Sequence, residues 1–333
     1  MIKILYIILI ILLVIIIFFY IYLLYKVSHR SKDYYNTLRF RYYTLQDFTD
    51  MTHNIFDIPK KYIYHYDKNS NDIYEKDLNK TMIKTNPIEK PVALLKGDIR
   101  HCFSFPILQK TRHSMDLLPK DCKSIIIKLS TDRHFGSLKI IPISLEIFLK
   151  KKSILLWRGA TTGPGFDTME PPVGTRAYMI KNYFNKYPFL DIGIQGICSK
   201  SVLDFYKTRS KPHISKEEHM NYRYIISIQG HDVASNLKWL MGSSSLVFMC
   251  KPTVISWFME DRLIPFYHYV ELKEDFSDLE EKFNWAENNP EKCVRIIQNA
   301  QKYTSVFLDE KNEELLMKSI IQWYKDNIKY KIF

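Results

Sequence analysis

The sequence predicts an α/β protein with mainly parallel sheets, preceded by one transmembrane helix. Residues 224–228 and 245–249 are short runs of mostly β-branched and aromatic side chains, and residues 234–241 between them have helical spacing. The same alternation of strand, helix and strand occurs earlier, over residues 153–194. Repeated alternation of this kind is typical of parallel sheets covered by helices. An uncharged apolar stretch over residues 4–24 predicts the transmembrane helix.

This apolar stretch over residues 4–24 is the first predicted element. Its length is roughly the 20 residues that a helix needs to span a bilayer. It has no small-residue cleavage site and is followed by Lys26, His29 and Arg30, which favours an uncleaved signal anchor over a signal peptide. We therefore predict a transmembrane anchor over residues 1–25. The positive charges after it favour a cytoplasmic position for the remainder of the chain.

Residues 26–90 are rich in Tyr, Asn, Asp and Lys and have few periodic apolar runs. We interpret them as a stem and a poorly defined segment, in which residues 66–90 form a long loop. The first predicted domain covers residues 91–150 and begins with an apolar strand at residues 91–95. This strand runs into a Lys-Gly-Asp tripeptide, which makes Asp98 a candidate site residue at a strand end.

The second predicted domain covers residues 151–310, and a carboxyl-terminal helix over residues 311–333 closes the chain. The first strand of this second domain, at residues 153–157, ends in a tight loop at residues 158–163. This loop is a candidate site, because α/β sheets bind ligands at the carboxyl ends of their strands. The other predicted elements of both domains are strands at 123–129 and 190–194, helices at 142–151, 176–184, 291–304 and 311–326, and capping boxes at 215–218 and 277–280.

A turn over residues 229–236 lies between the carboxyl end of one predicted strand and the amino end of the next helix. Free backbone N–H groups and the helix dipole favour a bound phosphate at such a position. We expect Asn236 and Lys238 to hold phosphate oxygens, and Ser235 to donate a hydrogen bond or to cap the helix. Glu260 is a candidate for contact with ribose hydroxyls, as acidic residues often are in nucleotide-binding sheets.

Composition limits the classes of function. A chain of 333 residues that is 46% hydrophobic can bury a sizeable core, which excludes a disordered protein. The net charge of +12 suits a nucleic acid, an anionic membrane surface or a phosphorylated small molecule, but no nucleic-acid-binding motif is present. The five cysteines form no Cys-x-x-Cys pair, so we expect free thiols and neither a disulfide framework nor a zinc site.

Four stretches of the second half resemble one known family. They are residues 229–239 (QGHDVASNLKW), 256–260 (SWFME), 268–270 (HYV) and 275–280 (DFSDLE). On these stretches the chain resembles glycosyltransferase family 90, the CAP10-like and KDEL-containing transferases. The resemblance is nearest to the members that modify bacterial lipopolysaccharide, and His231 departs from it, since that family has Asn there.

The resemblance implies a GT-B-like fold, in which two Rossmann-like domains with parallel sheets face each other. It implies an inverting transferase that moves a sugar, glucose or xylose, from a UDP-sugar to a hydroxyl group of a protein, a glycan or a lipid-linked glycan. The relatives work in the secretory pathway, so the predicted single-pass membrane protein is expected to be lumenal, in the ER or Golgi, or associated with a host membrane. The positive charges after the apolar stretch instead favour a cytoplasmic position, so the orientation in the membrane stays open.

The resemblance also assigns site residues. Asp98 matches a Gly-Asp motif where related enzymes place the catalytic base. Residues 157–163 (WRGATTG) look like the family motif beside the sugar nucleotide. An arginine there suits a diphosphate, because the leaving group gains negative charge. The nucleotide-sugar residues implied in this way are Arg158, Gly159, Thr161 and Arg176. Lys110, Arg112 and the Arg-His-Phe element at residues 133–135 match basic positions of the bacterial members.

No cofactor or metal is expected, because the sequence has no Asp-x-Asp pair to hold a divalent ion against a diphosphate. Two other classes remain as alternatives. One is a non-catalytic, membrane-anchored protein that binds a glycan or a lipid on a transferase scaffold. The presence of both Asp98 and Arg158 favours the enzyme over this alternative. The other is a basic nucleic-acid-binding protein, which would show salt-sensitive binding to DNA or RNA.

Overall fold

The computed structural model describes residues 35–46, 51–67, 69–82 and 90–333, together with Ile17, Phe18, Ile21, Lys32 and Asp33. Within these residues, no helix combines the length and the apolar character that crossing a membrane requires. The finding corrects the prediction of a single-pass membrane protein and the fold class and localisation that depended on it. The apolar stretch that suggested the anchor lies almost entirely outside the described residues.

The first half of the chain contains short elements. In order they are helix α1 (residues 35–44), β1 (Ile55–Ile58), β2 (Ile63–Tyr64), α2 (Ile73–Met82), β3 (Val92–Ala93), β4 (Ile107–Gln109), β5 (Arg112–His113), β6 (Ser124–Ile126), α3 (Thr131–Phe135) and α4 (Leu145–Lys150).

The second half contains longer strands and helices. In order they are β7 (Lys152–Gly159), α5 (Arg176–Tyr183), β8 (Leu190–Ile194), α6 (Asp204–Lys207), α7 (Lys216–His219), β9 (Tyr222–Ile226), α8 (Leu237–Met241), β10 (Leu246–Cys250), β11 (Val254–Ile255), β12 (Val270–Leu272), α9 (Leu279–Glu287), α10 (Pro290–Ser305), α11 (Glu310–Asn327) and β13 (Lys329–Ile332).

A five-stranded, all-parallel sheet organises the second half. Its strand order is β12-β10-β9-β7-β8. Leu155 of β7 pairs with Leu190 of β8 on one side and with Tyr224 of β9 on the other. The central strands are buried on both faces, as expected where helices cover a parallel sheet. The sequence-based prediction of parallel α/β structure is confirmed here.

The first half differs from the Rossmann-like domain that was predicted over residues 91–150. Strands β4 and β6 are parallel, β2 and β3 are antiparallel, and a bridge between Leu94 and Leu108 links β3 to β4. Each of these strands is only two or three residues long. The described residues of this half thus form a small mixed sheet, because loops interrupt the apolar runs that suggested long strands.

Helix α1 and strand β1, together with α11 and β13 from near the carboxyl terminus, pack with the first half. Strand β13 pairs with β1, and side chains of α11 join the same hydrophobic core as β4 and β6. Helix α1, in the region interpreted as a stem, also packs into this core: Tyr43 stacks on Trp257 with ring centroids 4.2 Å apart. On the same helix, the buried Arg39 lies 2.5 Å from a carboxylate oxygen of Glu313. These contacts make α1 an integral part of the fold.

One cysteine prediction is corrected. Cys102 and Cys122 form a disulfide, with Cα atoms 5.2 Å apart. Their separation of 20 residues gives no local motif, but the chain folds back between them, and the backbone N–H of Lys123 donates to the carbonyl of Phe103 at 2.7 Å. Cys198, Cys250 and Cys293 are free thiols.

Candidate functional site: two cavities at the carboxyl ends of the parallel strands

Two adjoining cavities open at the carboxyl ends of the parallel strands. The larger, of about 470 Å³, lies over β9 and β10. The smaller, of about 200 Å³, lies between the end of β7, the turn after β9 and the first half of the chain. They share Arg176, Gly230 and Val233 in their walls. Parallel α/β sheets bind ligands at this edge, so we treat the two cavities as one candidate site.

Two glycines allow the loops of this site to approach each other. Gly163, in the loop after β7, has φ +97°, and a side chain there would lie 3.0 Å from the carbonyl oxygen of Gly230. A side chain on Gly230 would in turn lie 2.8 Å from the hydroxyl of Thr162. Because both contacts are with main chain or short side chains, neither glycine has room for a Cβ.

Arg176 holds the same two loops together. Its guanidinium donates to the carbonyls of Ile228 (2.9 Å) and Ala160 (3.1 Å), and to the hydroxyl of Thr162 (2.6 Å). Within the described part of the chain it has no carboxylate partner. Burial lowers its pKa to about 10, so the group is still a cation at neutral pH. It therefore presents a positive charge to both cavities.

Asp98 faces the smaller cavity from the first half of the chain. Its Oδ1 accepts hydrogen bonds from the hydroxyl of Tyr74 (2.8 Å), from Lys110 and from Arg133, and its Oδ2 accepts from Arg133 at 3.0 Å. Burial disfavours the ionised form, but the hydrogen bonds from Arg133 and Lys110 outweigh it and hold the pKa well below its usual range. Asp98 is thus a carboxylate at neutral pH, and within the described part of the chain Oδ2 accepts only from Arg133 and has room for a further donor.

A second carboxylate lies behind the first. Asp232, in the turn after β9, is 2.6 Å from Nζ of Lys110 and is almost completely buried. Burial raises its pKa, while the charge of Lys110 acts in the opposite direction. Lys110 therefore contacts two acids, Asp98 and Asp232, one from each half of the protein.

His134 completes the wall between these groups. Its Nε2 lies 3.2 Å from Nε of Arg133 and 3.5 Å from Nζ of Lys110, and two donors facing one nitrogen require that nitrogen to be unprotonated. Burial and the nearby charges of Lys238 and Lys110 lower the pKa of His134, so the ring is neutral. His134 is therefore an acceptor in this cluster and carries no charge at neutral pH.

Arg158 is paired with Asp191 of the neighbouring strand β8 and does not point into the cavity. Its guanidinium donates to the carboxylate of Asp191 at 2.8 Å and to the carbonyl of the same residue at 2.9 Å. Lys211 lies 2.6 Å from the other oxygen of that carboxylate. Arg158 contributes to the wall of the smaller cavity, but its charge is directed along the sheet toward β8.

The remaining predicted residues of the loops are divided between cavity walls and interior. Gly159, Ser235 and Asn236 line the smaller cavity, where Asn236 accepts a hydrogen bond from Ser227 at 3.0 Å. Thr161 is buried, and its hydroxyl accepts from the N–H of Cys198 at 2.9 Å. The structure therefore brings Gly159, Ser235 and Asn236 to the site, while Thr161 lies beneath it.

Lys238 and Glu260 form a buried ion pair. Nζ of Lys238 is 2.7 Å from Oε1 of Glu260, and both side chains are at most 1% exposed. Glu260 also accepts from the N–H (2.6 Å) and hydroxyl (2.7 Å) of Ser256. The helix expected over residues 234–241 begins only at Leu237 and has five residues. Lys238 therefore points into the protein and away from a phosphate position, while Glu260 reaches the wall of the larger cavity.

Sequence reasoning missed Tyr74 and Thr162. Tyr74 lies on α2, within the region interpreted as a long loop. A capping signal was present, since Asp72 accepts hydrogen bonds from the N–H groups of Tyr74 (2.8 Å) and Glu75 (3.1 Å). Thr162 carries no such signal. Its hydroxyl accepts a hydrogen bond from Arg176, which lies 14 residues further along the chain.

Comparison with known proteins identifies the family. The chain is 32% identical over 251 residues to "O-glucosyltransferase LpsA" of Dichelobacter nodosus, a match that covers 75% of this chain and 71% of that protein. The family model described as "Glycosyl transferase family 90" matches residues 179–333. The chain belongs to glycosyltransferase family 90. The protein is accordingly a glycosyltransferase, and the resemblance on which the sequence analysis relied is confirmed.

Two further relatives are matched over shorter segments. "Uncharacterized protein 179R" of Invertebrate iridescent virus 6 is 32% identical over 189 residues, which are 49% of this chain and 16% of that protein. "Protein O-glucosyltransferase 2" of Danio rerio is 30% identical over 96 residues, which are 29% of this chain and 19% of that protein. Of these three relatives, the bacterial protein is matched over most of its length.

Proposed function

We propose that this family 90 glycosyltransferase transfers a sugar, with glucose first and xylose second, from a UDP-sugar to a hydroxyl group of a protein or a glycan. The observation that supports the proposal best is the placement of Asp98 and Arg176 in one small cavity. Asp98 comes from the first half of the chain and Arg176 from the second. A proton acceptor and a cation thus face the same space of about 200 Å³.

The larger cavity suits the nucleoside of the donor. It lies over the ends of β9 and β10, and Thr253 in its wall offers oxygen atoms for ribose hydroxyls or a base. The carboxylate of Glu260 is already used by Lys238 and Ser256. Arg176 stands between the two cavities, where a diphosphate would connect the nucleoside to the sugar. A cation there stabilises the leaving UDP, because negative charge grows on the diphosphate as the glycosidic bond breaks.

The proposed reaction is a single displacement with inversion. The acceptor oxygen bonds to the anomeric carbon, the bond from that carbon to the diphosphate oxygen breaks, and Asp98 takes the acceptor proton. The low pKa of Asp98 is compatible with this role. A hydroxyl oxygen becomes strongly acidic once its bond to carbon forms, so even a weakly basic carboxylate can accept its proton late in the step.

Direct ligand binding tests the proposal. UDP, UDP-glucose, UDP-xylose and ADP-glucose are each added to the purified protein while its thermal unfolding is followed. A ligand at 100 times its dissociation constant adds about 2.7 kcal/mol to the free energy of unfolding, which raises the melting temperature measurably. We expect UDP and one UDP-sugar to stabilise the protein and ADP-glucose to have little effect. Equal stabilisation by ADP-glucose, or none by any UDP compound, would contradict the proposed donor.

A further inference from the structure

Lys110 lies between two carboxylates that belong to different halves of the protein. Its Nζ contacts Oδ1 of Asp98 and lies 2.6 Å from Oδ2 of Asp232. The side chains of Lys110 and Asp232 are only 3% and 4% exposed, so water has little access to replace this contact. A single buried cation therefore connects the candidate base to the turn after β9.

The backbone around Lys110 is fixed to the second half as well. Strand β5 begins two residues later and pairs with β11 in antiparallel register, with His113 opposite Val254. The N–H of Ser114 continues this pairing by donating to the carbonyl of Thr253 at 3.0 Å. Since Thr253 lines the larger cavity, the segment that carries Lys110 is tied by main-chain hydrogen bonds to the nucleotide side of the site.

The other groups that face Asp98 do not provide this connection. Tyr74, Arg133 and His134 all come from the first half of the chain, as Asp98 does. Arg133, whose side chain is 40% exposed, orients the carboxylate of Asp98 but does so from the same half of the chain. Among the charged groups described around Asp98, Lys110 is the one that also contacts an acid of the second half.

We propose that Lys110 and Asp232 are a positioning pair that holds the carboxylate of Asp98 in a fixed position relative to the loops after β7 and β9. This inference rests on the proposed function, in which Asp98 accepts the proton of the acceptor. Neither residue of the pair needs to touch the substrate. Their contribution is geometric, since a displacement of about 1 Å of a catalytic group can reduce a rate by about 10²-fold.

A pair of variants separates positioning from stability. Lys110→Met leaves the buried carboxylate of Asp232 without its cation, so this variant should be less stable than the wild type. The double variant Lys110→Met/Asp232→Asn removes the unpaired charge and should recover most of the lost stability. The inference predicts that the double variant still releases UDP from UDP-glucose about 10²-fold more slowly than the wild type, with its affinity for UDP within about twofold of the wild-type value. Lys110→Arg keeps the charge and should recover part of the turnover.

Lys151→Met is the matched control. This partly buried lysine donates to the carbonyl (2.6 Å) and hydroxyl (2.7 Å) of Ser244 and lines neither cavity of the site. We expect its turnover to stay at the wild-type level, so that loss of a buried lysine does not by itself account for the effect.

The outcomes distinguish the inference from the proposed function. If the double variant recovers wild-type turnover together with stability, the pair is only structural and the inference fails. If Asp98→Asn keeps wild-type turnover, or the wild type turns over no UDP-sugar, the proposed function itself fails. Low turnover in a stable double variant with normal UDP affinity supports the inference.

Discussion

Arg133 contacts both carboxylate oxygens of Asp98, with its two terminal nitrogens 3.0 Å from Oδ2 and 2.5 Å from Oδ1. A two-pronged pair of this kind stabilises the ionised carboxylate and fixes its plane. Because Asp98 is the candidate base, the same contact that orients it also lowers its affinity for a proton. Stability and activity should therefore respond to this pair in different ways.

The first prediction concerns Arg133→Gln and pH. The folded-state pKa of Asp98 lies below its unfolded value of about 3.9, so the stabilisation from ionised Asp98 is complete above that pH and is lost as the pH falls through the folded-state pKa. Arg133→Gln moves that pKa back toward the unfolded value. In urea unfolding, the difference in stability between wild type and variant should be largest near neutral pH and shrink below about pH 4. A difference that does not change with pH would contradict this account.

The second prediction concerns the buried pair of Lys238 and Glu260. Lys238→Met leaves Glu260 without its cation in the interior, and breaking a buried pair in this way costs roughly 3–5 kcal/mol of stability. The additional change Glu260→Gln removes the unpaired charge and should restore most of that loss. Urea unfolding of the single and double variants measures both values. A Lys238→Met protein as stable as the wild type would show that the pair is not buried as described.

The third prediction concerns the diphosphate. Arg176→Ala should weaken UDP binding by about 10- to 100-fold, because a charge-assisted hydrogen bond is worth about 1.5–3 kcal/mol. Arg158→Ala should have a smaller effect, since that guanidinium is paired with Asp191. Arg209→Ala is the control, because Arg209 lies over the ring of Phe205 and lines neither cavity. Calorimetric titration with UDP gives all three affinities, and the reverse order for Arg158 and Arg176 would place the diphosphate against β8.

The fourth prediction concerns metal ions. We expect UDP-sugar turnover to survive EDTA, because the sequence has no Asp-x-Asp pair and the proposed leaving-group cation is Arg176. The assay compares UDP release in EDTA with UDP release in added Mn²⁺ or Mg²⁺. Activity that is lost in chelator and returns with a divalent ion would contradict the expectation.

The parallel sheet could be predicted from the sequence because helices cover both of its faces. Such strands are continuous apolar runs, and the predicted strand at 190–194 coincides with β8, while those at 224–228 and 245–249 differ from β9 and β10 by one or two residues. The first half was predicted less well. Its strands have two to four residues, which is too short for a hydrophobic period to be recognised.

The candidate site could be predicted as a location but not as a set of contacts. The loops after β7 and β9 do meet, and Asp98 faces them. The directions of Arg158 and Lys238 depend on Asp191 and Glu260, which lie 33 and 22 residues away in the chain. Local pattern carries no information about such partners. Lys110 and Asp232 are far apart in the sequence, and only the fold brings them together.

Asp98→Asn tests the central claim most directly. The substitution keeps the shape of the side chain and removes its ability to take a proton. We expect the variant to bind UDP and UDP-sugar with nearly unchanged affinity and to release UDP more slowly by about 10²–10⁴-fold, the usual contribution of general-base catalysis. The measurement is turnover at saturating donor, with calorimetric UDP affinity as the check that the site is intact. A folded Asp98→Asn protein that transfers sugar at a rate close to that of the wild type would show that Asp98 is not the base.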